Sequence, residues 1–167
     1  MIRLTADSHW HPVLLLNNAA ASIGAALGPA GSEKSAGVIS ASFLKDPNDP
    51  AWKDDPAMKE WVSFMDKYYP KGDKTSSAAL YGYAAAETLV QVLKQCGDDL
   101  SRENIMRQAA ALRDYRSPVM LPGIKLNTGP DKFQPIKQMR LVQFDGRTWQ
   151  PIGDVIESAF ADAPQKN

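Results

Sequence analysis

The stretch SSAALYGYAAAETLVQVLKQCG, residues 76–97, constrains the fold more than any other. The spacing predicts the chain's longest helix over Ser76–Lys94, with Gly97 as its stop. Its first half is apolar on almost every side and opens only towards Gln91, Lys94 and Gln95. A helix apolar all round has to be covered, so it predicts a sizeable core. The 167 residues suffice for one domain of ordinary size or parts of two. With 44% hydrophobic and 23% charged residues the chain reads as soluble and globular. No apolar run approaches the roughly 20 residues that span a bilayer.

Before this helix, Asp55 is placed as an N-cap with Pro56 at the first helical position. Met58, Trp61, Val62, Met65 and Tyr68 then recur at three- and four-residue steps, an amphipathic helix that ends before Pro70. Its Met and aromatic stripe reads as core. After it, Ser101 caps a third helix with Ile105, Ala109 and Leu112 on one face.

The strands lie outside this helical block. Pro12–Leu16 is a short continuous apolar run, which suits a strand of a parallel sheet covered on both faces. Residues 37–43, GVISASF, alternate with period two and read as a strand. GIKLN reads as a short strand. QMRLVQF, residues 138–144, runs into Asp145-Gly146 and RTWQPI, a hairpin signal. Ala19–Leu27 is Ala-rich and predicts a helix, and residues 28–37 a loop. That loop lacks the Gly-Lys-Ser/Thr ending of a phosphate loop. Residues 45–56, KDPNDPAWKDDP, read as an irregular connector. Their prolines break calcium-ligand spacing and the glycine of an EF-hand is missing. The tail from Ala159 is small and polar and is expected to be flexible.

Chemical motifs are sparse. The 19 Lys and Arg balance 19 Asp and Glu without a basic stripe, which sets nucleic acid aside. His9 and His11 lack further metal ligands nearby in sequence. The single Cys96 ends a helix, whereas a helix N-terminus is what lowers a thiol pKa. It cannot form an internal disulfide and says little about compartment. No nucleophile, zinc or dinucleotide motif is present. Glu87 on the apolar helix reads either as a buried carboxylate or as a helix-edge residue with a partner. No metal and no cofactor are expected, and a binding protein is favoured over an enzyme. A small enzyme using Glu87 or His11, and a self-associating interaction module, are the competing readings. The run VLLLNN raises a further pair of alternatives. Asn17 and Asn18 either close a turn or stand at a ligand site at the carboxyl end of a strand.

GVISASFLKDPNDPAW, the acid-rich helix start, SSAALYGYAAAETLVQVLKQCG, SRENIMRQAAALRD and FQPIKQMRLVQFDGRTWQPI follow one another in a specific order. That succession, over about residues 10–153, is similar to the C-terminal half of periplasmic substrate-binding proteins of the branched-chain amino acid type that serve ABC importers. The resemblance implies an α/β fold: an incomplete part of a two-lobed type I periplasmic-binding fold with three-layer lobes. It implies that residues 1–37 and 133–158 belong to the second lobe, and residues 38–132, with crossing segments, to the first. It also implies a chain about half the family's length. The start, MIRLTADSHWHP, shows no apolar signal segment, so a truncated gene or a misassigned start is expected.

By the same resemblance a small ligand sits between the lobes, the protein is periplasmic, and its partner is a membrane permease. Asn17 and Asn18 stand where amino-acid-binding relatives carry a carboxylate for the ligand's ammonium, so a small carboxylate ligand, an amino acid or an aromatic acid, is expected, with the amides weighing against the amino acid. Tyr81 and Tyr83 begin the helix that borders the cleft in relatives; two residues apart, they point about 200° apart, so at most one faces it. Leu80 and Phe43 complete the candidate ligand-binding set. Uncovered sheet edges and apolar faces predict a homo-oligomer.

Overall fold

The computed structural model describes residues 1–158, and the tail expected to be flexible lies outside them. One mixed sheet holds β1 (Leu15–Leu16), β2 (Ile39–Ser42), β3 (Gln138–Phe144) and β4 (Trp149–Glu157), hydrogen-bonded in that order. β1 runs parallel to β2, which pairs antiparallel with β3. β3 and β4 form the predicted hairpin, from Phe144↔Trp149 to Gln138↔Glu157. Asp145 closes the turn, its carboxylate accepting the N–H groups of Arg147 and Thr148, both at 2.8 Å. Gly146 supplies the left-handed residue at φ 98°.

Among the described residues five α-helices accompany the sheet: α1 (Ile2–Asp7), α2 (Gly28–Ala30), α3 (Pro56–Tyr68), α4 (Ser77–Cys96) and α5 (Arg102–Ala109). Side-chain caps hold three of them, at the predicted Asp55 and Ser101 and at Ser76, which the pattern places inside the helix. Asp55 accepts the Met58 N–H at 3.1 Å, Ser76 that of Ala79 at 3.2 Å, and Ser101 that of Asn104 at 3.3 Å. Gly97 follows α4 at φ 60°. Met58, Trp61 and Met65 of α3 pack on Leu80 and Ala84 of α4 and on Val119. A second cluster joins Ile23, Leu27, Val38 and Phe144, with Leu16 of β1 and Trp149 of β4 packed against it. Val92 and Cys96 of α4 meet Leu112, with Ile105 and Ala109 of α5 alongside.

Five of the expectations are corrected here. The apolar run before Asn17 is not covered on both faces: Val13 and Leu15 lie 76% and 72% exposed at the sheet edge. Ala19–Leu27 is not one helix. It divides into a 3-10 turn, Asn18–Ala20, and a π turn, Ile23–Leu27, because Asn17 and Ser22 each cap a new start. GIKLN forms only bridges, Leu126 pairing with Tyr115 and Ile136. Finally, α4 is not buried all round. Leu80, Ala84, Val92 and Cys96 face inward, while Leu89, Val90 and Leu93 form an exposed apolar stripe. Similarly, Val62 and Tyr68 of the α3 stripe are exposed and only Met58, Trp61 and Met65 are core.

Candidate functional site

A cavity of about 570 Å³ opens between the sheet and the start of α4. Alternation along the strands builds its floor. Ser40 and Ser42 of β2 lie opposite Val142 and Arg140 of β3, and all four line the cavity. Pro151, opposite Val142, extends the floor onto β4. The walls come from the turns after β1, from residues 43–52, from Leu121-Pro122 and from the first turn of α4.

Three of the sequence-predicted residues meet here. Asn18 lines the cavity, its Nδ2 donating to the Ala41 carbonyl at 3.2 Å and to Ser42 Oγ at 3.5 Å. Phe43 and Tyr81 line it together, their rings edge-to-face with centroids 6.3 Å apart. The other three stand elsewhere. The exposed Asn17 accepts the Ala20 N–H at 2.9 Å and caps the 3-10 turn. Leu80 is wholly buried under α3. Tyr83 faces Phe64, with ring centroids 5.1 Å apart. The helical spacing that allows one of the two tyrosines into a cleft is therefore resolved in favour of Tyr81 lining the cavity.

Several lining groups escaped the sequence reading. Trp52 and Trp149 add aromatic wall, one from the Pro-rich connector and one from the hairpin. Arg140 donates from Nε and Nη2 to the Gly153 carbonyl, both at 3.3 Å. A β-bulge after Arg140 and the left-handed Gly153, φ 67°, turn that carbonyl towards it. The glycine inside a strand pattern was the available signal. Ser77 Oγ donates to Ser22 Oγ at 3.3 Å and joins the α4 start to the turn region.

The remaining charges around the cavity are already engaged. Lys45 is buried and pairs with Asp55 at 2.8 Å, donates to the Pro118 carbonyl at 2.8 Å and lies over the Trp52 ring. Burial acts to raise the Asp55 carboxyl, but Lys45 and the Met58 amide outweigh it and hold the group below its ordinary value. Buried Asp46 takes the Ile23 N–H at 2.8 Å on one oxygen and two N–H groups of Asn48 on the other. Glu87 lies outside the cavity wall and accepts the Ser117 hydroxyl at 2.6 Å, the helix-edge arrangement. His9 and His11 are exposed and do not line the cavity. Among the described residues no three His, Cys, Asp or Glu side chains converge as a metal site.

Known structures share this architecture. A branched-chain amino acid ABC transporter protein from Thermus thermophilus, solved with bound valine, superposes with a TM-score of 0.71 at 12% identity; the match covers 96% of this chain and 43% of that one. A fatty acid ABC transporter substrate-binding protein from Thermomonospora curvata gives 0.65 at 20%, covering 98% and 41%. A possible leucine/isoleucine/valine-binding protein from Rhodopirellula baltica SH 1 gives 0.65 at 20%, covering 91% and 38%. The chain thus spans about two fifths of the length of these structures, and its partial sheet matches part of their two-lobed fold. No curated protein is significantly similar to the sequence. A family model described as periplasmic binding protein matches residues 13–148, most of the chain. With the order of its elements and a cavity between sheet and helix start, the chain belongs to the periplasmic binding protein family.

Proposed function

We propose that the chain is a solute-binding component of an ABC importer that captures a small carboxylate between two lobes in the periplasm. The observation that carries this reading is the aromatic-walled cavity between the sheet and the start of α4, with Asn18 and Arg140 among its polar groups. Most small-ligand sites share this character: apolar walls and a few placed polar groups. The family assignment and two of the similar structures, one holding bound valine and one the substrate-binding protein of a fatty acid ABC transporter, support solute binding. A ligand contacting both walls favours the closed arrangement by its differential affinity, and that arrangement docks on the membrane permease.

Trp52 and Trp149 report the test directly, because both line the cavity. A saturable change in tryptophan fluorescence on titrating small carboxylates, lost in Trp52→Phe/Trp149→Phe, supports the reading. A folded chain with no saturable response to amino acids, aromatic acids or fatty acids overturns it.

Self-association is a second part of the proposal, favoured by one observation. Leu89, Val90 and Leu93 lie 53%, 49% and 37% exposed on one side of α4. A contiguous apolar stripe of this kind marks a contact surface.

A further inference from the structure

The polar groups of the cavity differ in how fully they are engaged, and that difference selects a ligand. Among the described residues no carboxylate pairs with Arg140. Its Nε and Nη2 share the single Gly153 carbonyl, which leaves Nη1 and the second N–H of Nη2 side by side for a further acceptor. Across the β2–β3 register Arg140 lies opposite Ser42, whose Oγ receives the Asn18 amide. Guanidinium, hydroxyl and amide therefore gather along one row of the cavity floor. The carboxylate at the cavity wall, Asp46, is differently placed. Its two oxygens already accept three N–H groups, including the Ile23 amide that starts the π turn. An incoming ammonium, with three donors to satisfy, would have to displace these. The Lys45 ammonium is likewise neutralised by Asp55.

From this asymmetry we infer that Arg140 is the anion anchor of the cavity and that the ligand is an apolar monocarboxylate without an ammonium group. This rests on the solute-binding reading and narrows it. A guanidinium receives a carboxylate through two parallel N–H···O bonds, and the aromatic walls then cover the apolar body. The floor's remaining neighbours, Ser40, Val142 and Pro151, bring no charge. Aromatic and aliphatic acids share this chemistry, and the choice of probes separates them.

The test is calorimetric titration of the purified chain with benzoate, hexanoate, benzamide, L-phenylalanine and L-valine. Benzoate or hexanoate is expected to bind at least about tenfold tighter than benzamide and both amino acids. Arg140→Gln should weaken the carboxylate about tenfold or more and the neutral benzamide by less, while Arg140→Lys retains part of the preference. Near-ultraviolet circular dichroism establishes that each variant is folded. Benzamide binding as tightly as benzoate, or an unaltered carboxylate affinity in folded Arg140→Gln, overturns the inference. Preferred binding of valine or phenylalanine overturns it while the solute-binding reading stands. Failure of the folded wild-type chain to bind any of the five removes both.

Discussion

The carboxylate of Asp49 accepts the backbone N–H of Trp149 at 2.9 Å, across 100 residues of chain. Its other oxygen takes the Thr148 hydroxyl and the Ala51 N–H. One buried side chain thus fixes the Pro-rich connector against the hairpin, and with it two aromatic walls of the cavity, Trp52 and Trp149. Removing it leaves buried donors unsatisfied. Asp49→Ala is expected to lower stability by about 2–3 kcal/mol in urea unfolding, because hydrogen bonds to a charged group are worth about 1.5–3 kcal/mol. Asp49→Asn, which keeps one acceptor, should lose less. Asp54→Ala is the control: its pair with Lys59 is exposed and should contribute under about 1 kcal/mol.

Leu80 and Leu89 lie on opposite sides of α4 and should respond to substitution in opposite ways. Leu80 is wholly buried between α3 and α4, so Leu80→Ala should cost about 2–5 kcal/mol. Leu89 is half-exposed on the apolar stripe, so in the monomer Leu89→Lys should move stability by no more than about 0.5 kcal/mol. If the stripe mediates self-association, Leu89→Lys shifts the chain to monomer in light scattering. An unchanged oligomer excludes the stripe as the interface, and a wild-type monomer removes the oligomer proposal.

Local signals in this sequence are strongest where side chains cap backbone. Asp55-Pro56, Ser76, Ser101 and Asp145-Gly146 each satisfy named N–H groups or set a turn, and the elements beside them begin or turn within a residue of where the pattern puts them, although the third helix ends at Ala109, before Leu112. The same chemistry explains the failure over residues 18–30. A run of small residues has helix propensity, but Asn17 and Ser22 each restart the hydrogen-bond pattern and divide it. Burial was least legible. Periodicity identifies the apolar residues of α4 but not which of its sides is covered, since every side is apolar. At the cavity, Asn18, Phe43 and Tyr81 could be placed from the resemblance. Arg140 and Trp149 could not, because their position depends on the β2–β3 register and a bulge set by Gly153.

Two carboxyl groups give the stability a pH dependence of opposite sign. Burial, with Glu60 adding to it, holds Glu87 above its ordinary value of 4.5 against the Ser117 hydrogen bond. The folded chain therefore binds this proton more readily than the unfolded chain. Its contribution is full below 4.5 and is lost as pH rises through the raised folded value. Asp55 is held below its ordinary 3.8, so its contribution is present above 3.8 and is lost as pH falls through the lowered folded value. Glu87→Gln should flatten the decline on the alkaline side of 4.5, and Asp55→Asn the decline on the acid side of 3.8. Urea midpoints measured from about pH 3 to about pH 7 check both. An unaltered pH profile in Glu87→Gln would show that this carboxyl does not set the slope.

Asn17 and Asn18 are adjacent amides with separate tasks, and single substitutions separate them. Asn17 is exposed and caps the 3-10 turn through Oδ1, so Asn17→Ala should cost about 1 kcal/mol of stability. It does not line the cavity, and solute affinity should stay within about twofold. Asn18 lies at the cavity with its Nδ2 on the Ala41 carbonyl and Ser42 Oγ, next to the row that ends at Arg140. Asn18→Ala frees both partners and removes a polar group from the floor. Its expected effect is a loss of carboxylate affinity of about fivefold or more, together with a stability loss of about 1 kcal/mol. Fluorescence titration beside urea unfolding reads both quantities on the same samples. Equal losses of affinity in the two variants would mean that the amides act through the turn they share. A loss confined to Asn18→Ala would support Asn18 as the residue at the strand end that meets the ligand.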